Sequence, residues 1–236
     1  MNKNEKHKNQ NFRALEFTGK AKFTSAKNLQ LAAGRTRRGL PTELVKDGLL
    51  VSRDMIGLLI FGLSKKGINL VSATPFDIHK LTIGRVDHGL IAQYETLMAV
   101  KTEGVVDYEF EPQTFLQGYR PDVIWTSDTG KINVEVELSA KSIGDGEMDK
   151  FFLKILSHKT IVIFNDEVIC NRYIAHTRVY LKNGIPNWKF LNGEWVKLPD
   201  RIFFNRENWD EVEFRLHKKN SNRKLSLIYD AVEVGF

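Results

Sequence analysis

The stretch Arg120–Ser142, "RPDVIWTSDTGKINVEVELSAKS", decides how this chain is to be read. "PDVIWTS" has the composition of a strand, "DTGK" that of a tight turn, and "INVEVELS" that of a second strand, so the segment is a β-hairpin. Side chains alternate along a strand, so Asn133, Glu135 and Glu137 share one face while Val134, Val136 and Leu138 share the other. Two carboxylates on one face repel, and near a core both also lose hydration. A divalent cation would offset both costs. The turn Ser127–Lys131 lets Asp122, at the start of the first strand, approach the Glu135 end. Asp122, Glu135 and Glu137 then form a hard-oxygen site suited to Mg²⁺ or Mn²⁺. Such an ion polarises a phosphodiester and lowers the pKa of a bound water. Lys141, four residues beyond Glu137, can stabilise charge developing on phosphorus or orient the water. The competing reading is a solvent-facing strand with alternating acids. It requires a half-exposed sheet, against the apolar "VIW" of the neighbouring strand.

Outward from the hairpin, the pattern predicts a mixed α/β domain. "HGLIAQYETLMAVKTE", from His88, reads as an amphipathic helix with Leu90, Ile91, Tyr94, Leu97 and Met98 on one side. "VVDYEFE" reads as a strand before the hairpin, "GEMDKFFLKILSH" as a helix after it, and "TIVIFN" as a buried strand. "DEVICNRYIAH" reads as a short helix and "TRVYLK" as a further strand, giving the order α-β-β-β-α-β-α-β. Beyond Gly184, the aromatic set Trp188, Phe190, Trp195, Phe203, Phe204 and Trp209 reads as strands or loops covering the core. Upstream, "PTELVKDGLLV" and "SRDMIGLLIFGLSKKG" have helical spacing, and "INLVSATPFDIHKLTIGRV" reads as extended pieces around Thr74-Pro75. The expected organisation is a basic flexible arm (1–38), a small winged-helix-like module (39–87) and the α/β domain (88–236).

The chain has 236 residues and a formal net charge of +6, enough length for a substantial core. Its most apolar run, "MIGLLIFGL", is about half of the roughly 20 residues needed to span a bilayer. No apolar stretch follows the basic start, so no secretory signal is expected. The single cysteine, Cys170, excludes an internal disulfide and suits a cytoplasmic protein; it reads as a buried small hydrophobe. Basic residues crowd the first forty positions, a composition that follows phosphates, although a solvated tail has the same look. Arg35, Arg37 and Arg38, with Arg120, are the candidate DNA contacts. Among other polar residues, His88 reads as a surface or capping residue and Tyr94 as core rather than as a nucleophile. Asp145, Glu147 and Asp149 sit where acids favour a helix start.

With Pro121, Asp122, Glu135 and Glu137 at these positions, the predicted core resembles the PD-(D/E)xK nuclease superfamily, the restriction-endonuclease fold. The resemblance implies metal-dependent DNA cleavage by Asp122 and Glu135. Glu137 stands where the family usually has lysine. Either Glu137 serves as the base or Lys141 takes over the lysine's role. An acid on the first core helix often joins the metal ligands, and Glu95 is its counterpart here. A narrower resemblance, carried by "RPD…VEVELS", the following lysine and the basic start, is to the MobC-type mobilisation relaxases. It implies nicking of one strand at the origin of transfer of a mobilisable plasmid, with an accessory relaxosome or coupling protein as partner. The six histidines are scattered, with no paired-histidine motif of the other relaxase class. A transposon- or phage-type endonuclease of the same fold is the alternative enzyme. A non-catalytic DNA-binding accessory protein of replication or the relaxosome is the alternative from another class.

Overall fold

The computed structural model describes residues 3–34, 39–112, 120–217 and 222–224. The chain divides into two compact units, Met1–Gly104 and Val105–Phe236.

Unit 1 begins with α1 (Lys3–Ala21), β1 (Thr24–Ser25) and α2 (Ala26–Ala32). It continues through α3 (Leu40–Lys46), β2 (Leu50–Met55), β3 (Leu58–Leu63), α4 (Lys65–Val71), a 3-10 turn (Ile78–Lys80) and α5 (Ile83–Thr102). The strands form an antiparallel sheet in the order β1-β3-β2. Leu15, Leu29, Leu40, Leu44, Leu50 and Phe61 fill its core. The described part of residues 1–38 is therefore structural and not the expected flexible arm. Ala14, Leu15, Phe17 and Ala21 recur at helical spacing on α1 and are all buried.

Further expectations for this unit are corrected. "SRDMIGLLIFGLSKKG" is not a helix but the β2–β3 hairpin. Ile56 (φ 53°) and Gly57 (φ 80°) make its turn, and the Asp54 carboxylate accepts from Gly57 N at 2.9 Å. "INLV" is not extended but lies in α4, whose Ser64 N-cap accepts from Gly67 N at 3.1 Å. The helix expected from His88 begins five residues earlier, at Ile83, and belongs to unit 1. Buried Gln93 fixes it there: it donates to Phe23 O at 2.7 Å and accepts from Asn28 Nδ2 at 3.3 Å. The boundary accordingly falls at Gly104 rather than at 87/88. His88 and Tyr94 are half-buried on α5, and Lys27 Nζ lies 4.5 Å over the Tyr94 ring.

Unit 2 runs β4 (Val105–Phe110), β5 (Val123–Ser127), β6 (Gly130–Glu137), α6 (Glu147–Ile155), β7 (Thr160–Phe164) and α7 (Glu167–Asn183). It continues with β8 (Ile185–Leu191), β9 (Glu194–Ile202), α8 (Arg206–Asp210), β10 (Val212–Leu216) and β11 (Asn222–Lys224). Its main sheet is mixed, in the order β10-β7-β6-β5-β4, with short β11 outside β10. β4, β5 and β6 form an antiparallel meander, whereas β6, β7 and β10 are parallel. Strands β8 and β9 form a separate antiparallel pair. Phe152 of α6, Phe164 of β7, Tyr173 of α7, Trp209 of α8 and Phe214 of β10 are fully buried together. "TRVYLK" is not a strand but the second half of α7. Cys170, Tyr173, Ile174, Thr177 and Tyr180 are buried at three- and four-residue spacing, a pattern only a helix satisfies. Among the described residues no helix is long and apolar enough to cross a membrane.

Candidate functional site

Strand register brings the predicted acids together. Val123 pairs with Val134, and Asp122 N donates to Val134 O at 3.1 Å, so Asp122 lies across from Glu135. The Asp122 carboxylate also accepts from Val136 N at 2.7 Å, which ties it to the β6 backbone. On the other side of β6, Glu135 pairs in register with Val162 and Glu137 with Phe164. Val162 and Phe164 face the core formed with α6 and α7. The two glutamates therefore point to the helix-covered face of the sheet, and they are only 9% and 7% exposed. Val134 and Val136 on the opposite face are buried as well. A solvent-facing strand with alternating acids is thus excluded.

The two glutamates differ in what surrounds them. Glu137 is held at both oxygens: Lys141 Nζ lies 2.9 Å from Oε1, and the Tyr173 hydroxyl donates to Oε2 at 3.0 Å. Burial raises the Glu137 carboxyl above its ordinary value, opposed by the Lys141 ammonium and the Tyr173 hydroxyl, while the charge of Asp122 pushes it further up. The Tyr173 hydroxyl is raised in turn, first by burial and then by Glu137. At Glu135, Oε1 is buried and makes no hydrogen bond. Lys154 of α6 is half-buried nearby: burial lowers its ammonium below the ordinary range, and the attraction of Glu135 opposes that shift. The Lys141 ammonium lies 5.0 Å over the Phe151 ring and keeps 30% side-chain exposure, so it forms the open edge of the cluster.

Asp122, Glu135, Glu137 and Lys141 thus lie in one region of unit 2. Among the described residues, no group of at least three His, Cys, Asp or Glu side chains is arranged to hold a metal ion. Glu137 is turned to Lys141 and Tyr173 and Asp122 to the β6 backbone, while carboxylate oxygens such as those of Asp122 and Glu135 are the donor type that suits Mg²⁺ or Mn²⁺. Glu95 is half-buried on α5 in unit 1, whereas Asp122, Glu135 and Glu137 belong to unit 2. Arg120 donates to Glu111 O at 2.5 Å and lies 3.9 Å from the Glu111 carboxylate. Arg35, Arg37 and Arg38 lie outside the described residues.

The helix-start acids have separable local tasks. Asp145 is held below the ordinary carboxylate value, chiefly because it accepts from Glu147 N. Asp149 is buried and accepts from the Tyr180 hydroxyl at 2.6 Å and from Trp188 Nε1 at 3.2 Å. Cys170, the single cysteine, is buried and forms no disulfide. Sequence reasoning missed Tyr173 and Lys154. The signal for Lys154 was a lysine inside the apolar run "FFLKIL". No family model, curated protein or solved structure matches the chain.

Proposed function

We propose that this protein is a divalent-metal-dependent DNA endonuclease of the PD-(D/E)xK type. Its proposed reaction is nicking one strand at a plasmid origin of transfer, as the resemblance to MobC-type relaxases implies. The reading is carried by one arrangement: Asp122 set across from buried Glu135, with the Glu137–Lys141 pair at the open edge. Bound Mg²⁺ or Mn²⁺ would polarise the scissile phosphate and acidify a water. Asp122 and Glu135 would supply its carboxylate oxygens. Lys141 occupies the lysine's role from outside the usual position, offering a fixed positive charge to the phosphate. Glu137 positions that lysine, and Tyr173 positions Glu137. The α-β-α-α-β-β-α-α order of unit 1, with its β1-β3-β2 sheet, supports a winged-helix reading and a DNA-orienting role. The expected setting is the cytoplasm, with a relaxosome or coupling protein as partner.

The test is conversion of supercoiled plasmid bearing the origin to nicked circles in Mg²⁺, with Glu135→Gln as the control. Metal-dependent nicking by the native chain alone supports the reading. Equal nicking by both proteins, or none by either, overturns it. A second reading is an accessory DNA-binding protein without catalysis, favoured by the engagement of both Glu137 oxygens within the protein. It predicts origin binding without nicking at any metal concentration.

A further inference from the structure

The β8–β9 hairpin plays no part in the carboxylate cluster. Its register pairs Trp188 with Lys197 and Phe190 with Trp195, so these four side chains share one face. The inner end of that face is fixed: Trp188 is hydrogen-bonded to Asp149, and Lys150 Nζ lies 4.6 Å over its ring. The outer end is different. Phe190 meets Trp195 edge-on at 5.5 Å between centroids and remains 46% exposed. A cross-strand aromatic pair stabilises a hairpin, and its exposure leaves the Phe190 ring accessible as well. Lys154 joins this end to the candidate centre. Its ammonium lies 5.4 Å over the Trp195 ring, and from α6 it also feels the charge of Glu135 on β6.

We propose that the outer end of the β8–β9 hairpin is a stacking platform for bases of single-stranded DNA running to the candidate centre. An exposed ring beside a half-buried one, with lysines around them, is what a single strand uses: the π-face takes a base and the ammonium groups follow the phosphates. A duplex hides its base faces and would leave Phe190 unused. The inference rests on reading unit 2 as a DNA nuclease, but the two fail separately. Glu135→Gln tests the centre by nicking, whereas the platform is tested by binding without metal.

The experiment uses the full chain in EDTA and measures fluorescence anisotropy with labelled oligothymidylate of about 16 nucleotides, the upper range for one such site, and with a duplex of equal length. Phe190→Ala should weaken single-strand binding by about tenfold and leave duplex binding unchanged, while Phe190→Tyr should retain it. Unchanged single-strand affinity in Phe190→Ala, an equal loss on duplex, or no single-strand binding by the native chain overturns the platform. So does a change in self-association on sedimentation in place of a change in DNA binding, which would make the face a contact between copies. Should Phe190→Ala fail to fold, tryptophan emission decides. Oligothymidylate should quench it in the native chain and not in Trp195→Phe, and the absence of quenching in the native chain overturns the proposal.

Discussion

Glu137 is a charge kept in a place that burial opposes, and its two partners determine what substitutions there do. Tyr173→Phe removes the hydroxyl that donates to Oε2 and leaves that oxygen buried without a donor. The expected cost is about 1–3 kcal/mol, read as a lower urea midpoint with an unchanged slope. Lys141→Ala strips the other oxygen, and it also removes the positive charge proposed to face the phosphate. Nicking should fall roughly ten- to a thousandfold, with Mg²⁺ affinity nearly unchanged. The same substitution should destabilise the fold, because Glu137 keeps its burial and loses its counter-charge. Adding Glu137→Gln should restore stability without restoring nicking. Full recovery of nicking in the double variant would show that Lys141 acts only through the fold.

At the scale of elements, Gly146 seats one piece on another. It caps α6 with φ 75°, and a Cβ there would lie 2.2 Å from the Trp188 ring of β8. Gly146→Ala should therefore cost about 1–3 kcal/mol, measured by thermal unfolding, and loosen the hairpin from α6. The β5–β6 hairpin was legible in sequence because strict alternation and a glycine turn left no competing period. The same alternation misled at "TRVYLK", where Arg178, Tyr180 and Lys182 alternate with Val179 and Leu181. The deciding period spans α7 from Cys170 to Tyr180, and a break at Thr177 hides it. "MIGLLIFGL" failed for another reason: a short apolar run carries no period, and Ile56-Gly57 was the only turn cue. The acids were readable because strand neighbours are close in sequence. Tyr173 and Lys154 were not, because helices deliver them: Tyr173 from 36 residues beyond Glu137, and Lys154 from α6 rather than from a neighbouring strand.

For the molecule as a whole, the two units have separate cores. Residues 105–236 expressed alone should therefore melt cooperatively, and a non-cooperative melt would make the division merely geometric. Removing 3–21 should unfold unit 1, seen as lost helical circular dichroism, and not merely weaken DNA binding, since α1 carries Leu15 and Phe17 into the core. Leu15→Ala alone should cost about 2–5 kcal/mol. The parallel pairing of β10 with β7 has a consequence for the chain as it is made. Between those strands come α7, the β8–β9 pair and α8, so one edge of β7 has no partner until Leu216 has left the ribosome. At roughly 5–20 residues per second that interval lasts several seconds. For that time "TIVIF" is an open apolar strand of the kind that recruits other strands, so chaperone dependence should peak on the nascent chain. Glu135 and Glu137 lie on β6, the neighbour of β7, so a ribosome-bound fragment lacking β10 would have its acids in place by sequence but not yet held by a closed sheet.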